Sequence, residues 1–131
     1  MNVEPRMPHR RPALLLVSGE LVGPERAVCR ARVHGDHPMT RGGAARSVLA
    51  LELVAQAAAF LRDAAHEGGA PRLVGCRELV LHVAELREGE ELVVTVERQG
   101  GGDDGSTFVG RVERPSGERV ADARFVVRRT W

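Results

Sequence analysis

Residues 47–61, Ser-Val-Leu-Ala-Leu-Glu-Leu-Val-Ala-Gln-Ala-Ala-Ala-Phe-Leu, constrain this chain more than any other stretch. These fifteen residues hold no Gly, no Pro and only two strongly polar interior positions, Glu52 and Gln56. Leu and Ala dominate, and both are good helix formers. Ser47 is placed to cap the N-terminus, and Gly68 and Gly69, after His66 and Glu67, supply a stop. Such a helix is apolar nearly all the way round, the pattern of a buried helix. Glu52 and Gln56 are four apart and share one face. That face has two readings. With Asp63 the two residues make a narrow solvated stripe. Alternatively Glu52 is a carboxyl in apolar surroundings, where burial favours the protonated form that a general acid needs.

At 131 residues the chain is one domain, expected over 1–131 with an irregular lead-in at 1–7, and is long enough to bury a core. Its 43% apolar and 28% charged content is globular. A net charge of +1 gives no electrostatic case for nucleic acid or an anionic membrane. All 19 basic residues are Arg and Tyr is absent, a bias of GC-rich coding rather than of phosphate binding. Cys29 and Cys76 form neither a disulfide framework nor a zinc spacing, and fit a reduced compartment. The first residues lack the apolar segment of a signal peptide, and no apolar run is long enough to span a bilayer. The expectation is a soluble cytoplasmic domain.

Around the helix the pattern is β. Residues 13–22 read as a strand closed by Gly23-Pro24. Residues 26–34 alternate, with Ala27, Cys29, Ala31 and Val33 on one face and Val28, Arg30, Arg32 and His34 on the other, so the two make a hairpin. Residues 35–46 are a Gly-rich polar loop feeding the helix. Strands follow at 73–84, 91–98, 107–113 and 119–128, with turns at Glu88-Gly89, 100–105 and 115–117. With one helix there is little scope for parallel crossovers, so the sheet is antiparallel. A single long apolar helix is covered only if that sheet curls round it. This is an α+β, hot-dog architecture. Open sheet edges and an incompletely covered helix predict a dimer.

The histidines divide by position. His66 ends the helix and suits its C-terminal dipole; His34 ends a strand and is expected to be exposed; His82 reads as a satisfied mid-strand histidine. His9 and His37, beside prolines in loops that a curled sheet folds towards the helix, are the chemical candidates. A phosphate loop is excluded because there is no Lys, no nucleophile elbow occurs, and His34, Asp36 and His37 lack a further clustered ligand for a metal. No cofactor and no metal are expected.

Two motifs then resemble a known family. Pro8-His9-Arg10-Arg11-Pro12-Ala13-Leu14-Leu15 is similar to the Pro-His-Arg-x-Pro-x-Leu-Leu entry of bacterial 3-hydroxyacyl-ACP dehydratases, and Glu52-Leu53-Val54-Ala55-Gln56 to the Glu-x-x-Ala-Gln of their central helix. The segment Gly75 to Gly89, with His82-Val83, resembles the subgroup of aryl-polyene and polyene-forming type II polyketide pathways. The resemblance covers roughly residues 7–128. It implies a hot-dog dehydratase that converts 3-hydroxyacyl-ACP to trans-2-enoyl-ACP. It implies Glu52 as the acid and His37, or else His9, as the base. Backbone N–H groups at Ser47 or Val48 would hold the thioester carbonyl, and Gln56 would lie at the substrate. The implied partners are an acyl carrier protein and a second hot-dog subunit, in a homodimer or heterodimer. An acidic carrier would meet Arg41, Arg46, Arg72 or Arg77. Two other functions fit the fold: an acyl-ACP or acyl-CoA thioesterase, and a non-catalytic partner subunit of a heterodimeric dehydratase.

Overall fold

The computed structural model describes residues 14–64, 70–101 and 105–130. The lead-in with His9, and the helix stop with His66, lie outside the described residues. Among the described residues nine strands and one helix are arranged as β1 (Leu16–Leu21), β2 (Arg26–Arg32), β3 (Thr40–Arg41), β4 (Ala44–Arg46), α1 (Leu49–Ala64), β5 (Ala70–Leu81), β6 (Glu85–Arg87), β7 (Glu91–Gly101), β8 (Gly105–Glu113) and β9 (Arg119–Thr130). Six strands form one sheet in the order β1-β2-β7-β8-β9-β5, and every pairing in it is antiparallel.

The strands form where the sequence alternates. In β2, Ala27, Cys29, Ala31 and the following Val33 are all at most 2% exposed, while Arg30 and Arg32 face out. Leu92, Val94 and Val96 of β7 pair with that face in register. The first hairpin turns at Gly23, whose φ of 90° favours a residue without a Cβ. Register shifts mark bulges in β1, β5, β7 and β9 that bend the sheet around the helix.

The helix seats in this curl along Leu49, Ala50, Leu53, Val54, Ala57, Ala58, Phe60 and Leu61, each at most 1% exposed. Burying each large apolar side chain contributes about 1.5–3 kcal/mol. Two glycines permit the close approach. A Cβ at Gly110 would lie 2.7 Å from Val54, and one at Gly19 would lie 2.8 Å from Phe60. Beneath the helix Phe108 and Phe125, cross-strand neighbours, stack at 5.6 Å between centroids.

Residues 35–46, expected as a plain loop, contain β3 and β4, which join β6 in a small antiparallel sheet. Strands of two or three residues have no sequence signature; pairing alone holds them. This small sheet sets the start of the helix, because the Ser47 N–H donates to the Ala84 carbonyl beside β6 at 3.0 Å.

Candidate active site

The site is built where the helix begins. Ser47 and Val48 form a turn, and the N–H groups of Ala50 and Leu51 donate back to the carbonyls of Ser47 and Val48. Ser47 is buried and its N–H is committed to Ala84. Val48 is 40% exposed and lines a surface cavity of about 440 Å³ with Pro38, Met39, Ala45, Arg41 and Arg46. Of the two backbone groups expected to hold a thioester carbonyl, Val48 is therefore the one that borders open space.

One turn into the helix, Glu52 is half-buried and Gln56 is fully buried, which rules out the solvated-stripe reading at Gln56. The Gln56 side chain is fixed at both ends. Its Oε1 accepts from the Leu15 backbone N–H at 2.9 Å, and its Nε2 donates to Glu52 Oε1 at 3.0 Å. Because a backbone N–H can only donate, it sets the amide's orientation and leaves the NH₂ facing Glu52. Glu52 Oε1 is thus an acceptor.

His37 is buried, at 5% exposed, in a loop of successive turns. Its N–H donates to the His34 carbonyl at 3.2 Å, and its own carbonyl accepts from the Thr40 N–H at 2.9 Å. The Met39 N–H donates to His37 Nδ1 at 3.0 Å. Nδ1 must then hold a lone pair, so the neutral ring carries its hydrogen on Nε2.

His34, expected to be exposed, is tucked in, with only 11% of its side chain accessible. The strand alternation that pointed it outward ends at Arg32, and the chain then turns His34 under Leu14. Its Nε2 lies 2.8 Å from the Leu14 carbonyl. Asp36 Oδ1 sits 2.5 Å from Nδ1, outside hydrogen-bond geometry. The His34 and His37 rings are tilted against each other with centroids 5.8 Å apart.

His82 is a satisfied histidine, in the bend after β5 rather than in mid-strand. It pairs with Asp122 at 2.9 Å, and Arg111 reaches the same carboxylate at 3.1 Å. Of the arginines considered for a carrier protein, Arg41 and Arg46 meet at the cavity by Val48, while Arg77 lies out on β5; the Arg72 side chain lies outside the described residues.

A helix wrapped by a six-stranded antiparallel sheet defines a hot-dog protein. The chain belongs to the ApeP-like family: the family model, described as ApeP dehydratase, matches residues 1–130. No curated protein sequence matches it. Among solved structures, it is similar to the dehydratase heterocomplex ApeI:P from Xenorhabdus doucetiae, with TM-score 0.87 and 19% identity over 100% of this chain and 92% of that one. It also resembles zebra fish thioesterase superfamily member 2, with TM-score 0.70 and 17% identity over 94% and 88% of the two chains. The Escherichia coli PaaI protein from the phenylacetic acid degradation operon gives 0.65 and 17%, over 87% and 81%. At such identities these likenesses establish the shared hot-dog fold.

Proposed function

We propose that the chain is a subunit of a dehydratase that converts 3-hydroxyacyl-ACP to trans-2-enoyl-ACP, with Glu52 and His37 as its acid–base pair. The observation that carries this reading is the Glu52 carboxyl, held by Gln56 one turn inside a helix whose start opens on a cavity. Membership of a dehydratase family supports the reaction class. In the reaction His37 takes the Cα proton, and Glu52 Oε2 gives its proton to the C3 hydroxyl, which leaves as water. The Val48 N–H and the helix dipole stabilise the enolate-like thioester oxygen. Arg41 and Arg46, which line the cavity with Glu85, leave it a net positive charge that suits an acidic carrier protein. A second hot-dog subunit completes the site across the interface, in keeping with a structural relative that is itself a heterocomplex.

For His37 to act as base, its ring hydrogen must move to Nδ1, which gives up the Met39 hydrogen bond at a cost of about 1–3 kcal/mol. Pro38 and Met39 line the cavity, so a bound acyl chain touches the segment that must yield. The same hydrogen bond favours a second reading, in which Glu52 takes the Cα proton and hands it on to the C3 hydroxyl, which leaves as water, while His37 Nε2–H only hydrogen-bonds that oxygen. His37→Gln separates the two, since it keeps an N–H donor but cannot take a proton. Inactivity equal to that of His37→Ala supports histidine as base, whereas retained turnover supports the reading in which Glu52 carries the proton and His37 only donates a hydrogen bond.

The test of the function is mass spectrometry of a 3-hydroxyacyl-ACP incubated with the protein, alone and with a second hot-dog subunit. Loss of one water from the tethered chain is the expected result. Release of free thiol without an enoyl product would mark a thioesterase instead. Activity that needs the second subunit and survives loss of Glu52 and His37 would mark a non-catalytic partner.

A further inference from the structure

His34 and Gln56 grip opposite sides of one peptide group. The carbonyl of Leu14 and the N–H of Leu15 belong to the same planar amide. The carbonyl meets His34 Nε2 at 2.8 Å, and the N–H donates to Gln56 Oε1 at 2.9 Å. Gln56 Nε2 then donates to Glu52 Oε1 at 3.0 Å. Because the Leu14 carbonyl can only accept, His34 Nε2 must be the donor. Every hydrogen bond from His34 to Glu52 therefore points the same way, and each polarises the next. The strand beyond is anchored as well, since the Arg32 N–H donates to the Leu15 carbonyl at 3.1 Å.

We propose that His34 is a positioning residue for Glu52, acting through the Leu14–Leu15 peptide and Gln56, and that this clamp ties the loop carrying His37 to the helix carrying the acid. The inference rests on the acid–base reading of Glu52 and His37 and goes beyond it. His34 touches no reacting atom; it holds the peptide plane so that Leu15 presents its N–H to Gln56. The amide of Gln56 is thereby kept from turning its oxygen towards Glu52. His34 also offers its carbonyl to the His37 N–H at 3.2 Å and its ring to that of His37, so displacing it disturbs both members of the pair. The clamp gives a local purpose to the end of the Pro-His-Arg-x-Pro-x-Leu-Leu motif: it delivers one peptide group between two side chains.

The test uses the full chain with its partner subunit and the variants His34→Phe, His34→Gln, Gln56→Leu and the double variant His34→Phe/Gln56→Leu. Gln places an amide nitrogen as many bonds from Cβ as Nε2 of histidine. It should restore what Phe removes. For His34→Phe, kcat should fall roughly ten- to hundredfold with KM little changed, and the double variant should be no worse than Gln56→Leu, because both act on one relay. Independently of turnover, the Leu15 amide proton in ¹H–¹⁵N spectra should move upfield in His34→Phe and return in His34→Gln. An unmoved Leu15 resonance, or fully additive losses, would overturn the clamp. Absence of wild-type turnover would overturn the dehydratase reading, and the Leu15 resonance would still decide the clamp.

Discussion

Glu52 and Gln56 are separated by one helical turn, and that spacing alone put them on one face. What the sequence could not carry was the third partner, the Leu15 N–H, which arrives from the residue before β1, 41 positions away, and converts Gln56 from a surface amide into a buried bracket. His34 shows the converse. Its outward parity held only while β2 lasted, and the strand stops two residues short of it. Two further predictions belong to single residues. Burial pushes the Cys29 thiol up to about 12, while Cys76 is exposed. A thiol reagent at neutral pH should therefore modify Cys76 readily and Cys29 only on unfolding, checked by peptide mass mapping before and after denaturant. At Asp122, burial pushes the carboxyl up. The hydrogen bonds from His82 and Arg111 and the charges of Arg111 and Arg119 together outweigh it and hold the group below its ordinary 3.8. A carboxyl lowered on folding contributes stability that is present above the unfolded value and lost as pH falls through the folded one. Asp122→Asn should lower stability near neutrality yet flatten its decline below about pH 3.8, measured by urea titration across acid pH.

The helix and the six long strands were legible as elements because each carries its own periodicity, 3.6 for α1 and 2 for the strands. The short strands β3, β4 and β6 were not, since two or three residues hold no period and owe their existence to one another. Nor did the pattern reveal how closely the helix beds into the sheet. That depends on Gly110 and Gly19, which read as mere gaps in the alternation. Gly110 is the sharper probe: its added methyl would meet Val54 at 2.7 Å and Phe125 at 3.3 Å. Gly110→Ala should cost about 1–3 kcal/mol by overpacking, seen as a lower urea midpoint at unchanged slope. Ala at Gly117, a turn position with open space around it but a φ of 94°, should cost less, through backbone strain alone.

At the scale of the whole molecule, the sheet ends in two edges, β1 and β5, and Val48 before the helix and Leu51, Glu52 and Ala55 within it are incompletely covered. A chain so built predicts a partner, and light scattering of the purified protein should give the mass of a dimer, either of itself or with a second hot-dog subunit. No helix among the described residues is long and apolar enough to cross a membrane. The fold was legible at this scale from element order alone; for the candidate site the helical spacing put Glu52 beside Gln56, whereas the turns that bury His37 and tuck in His34 carry no sequence period. The central claim is that Glu52 handles the proton of an acyl dehydration. Its most direct test is single-turnover conversion of a 3-hydroxyacyl-ACP by Glu52→Gln, assayed with the same partner subunit as wild type. The rate should fall about 10²–10⁴-fold with the fold and oligomer intact; water loss at the wild-type rate would rule out that role for Glu52.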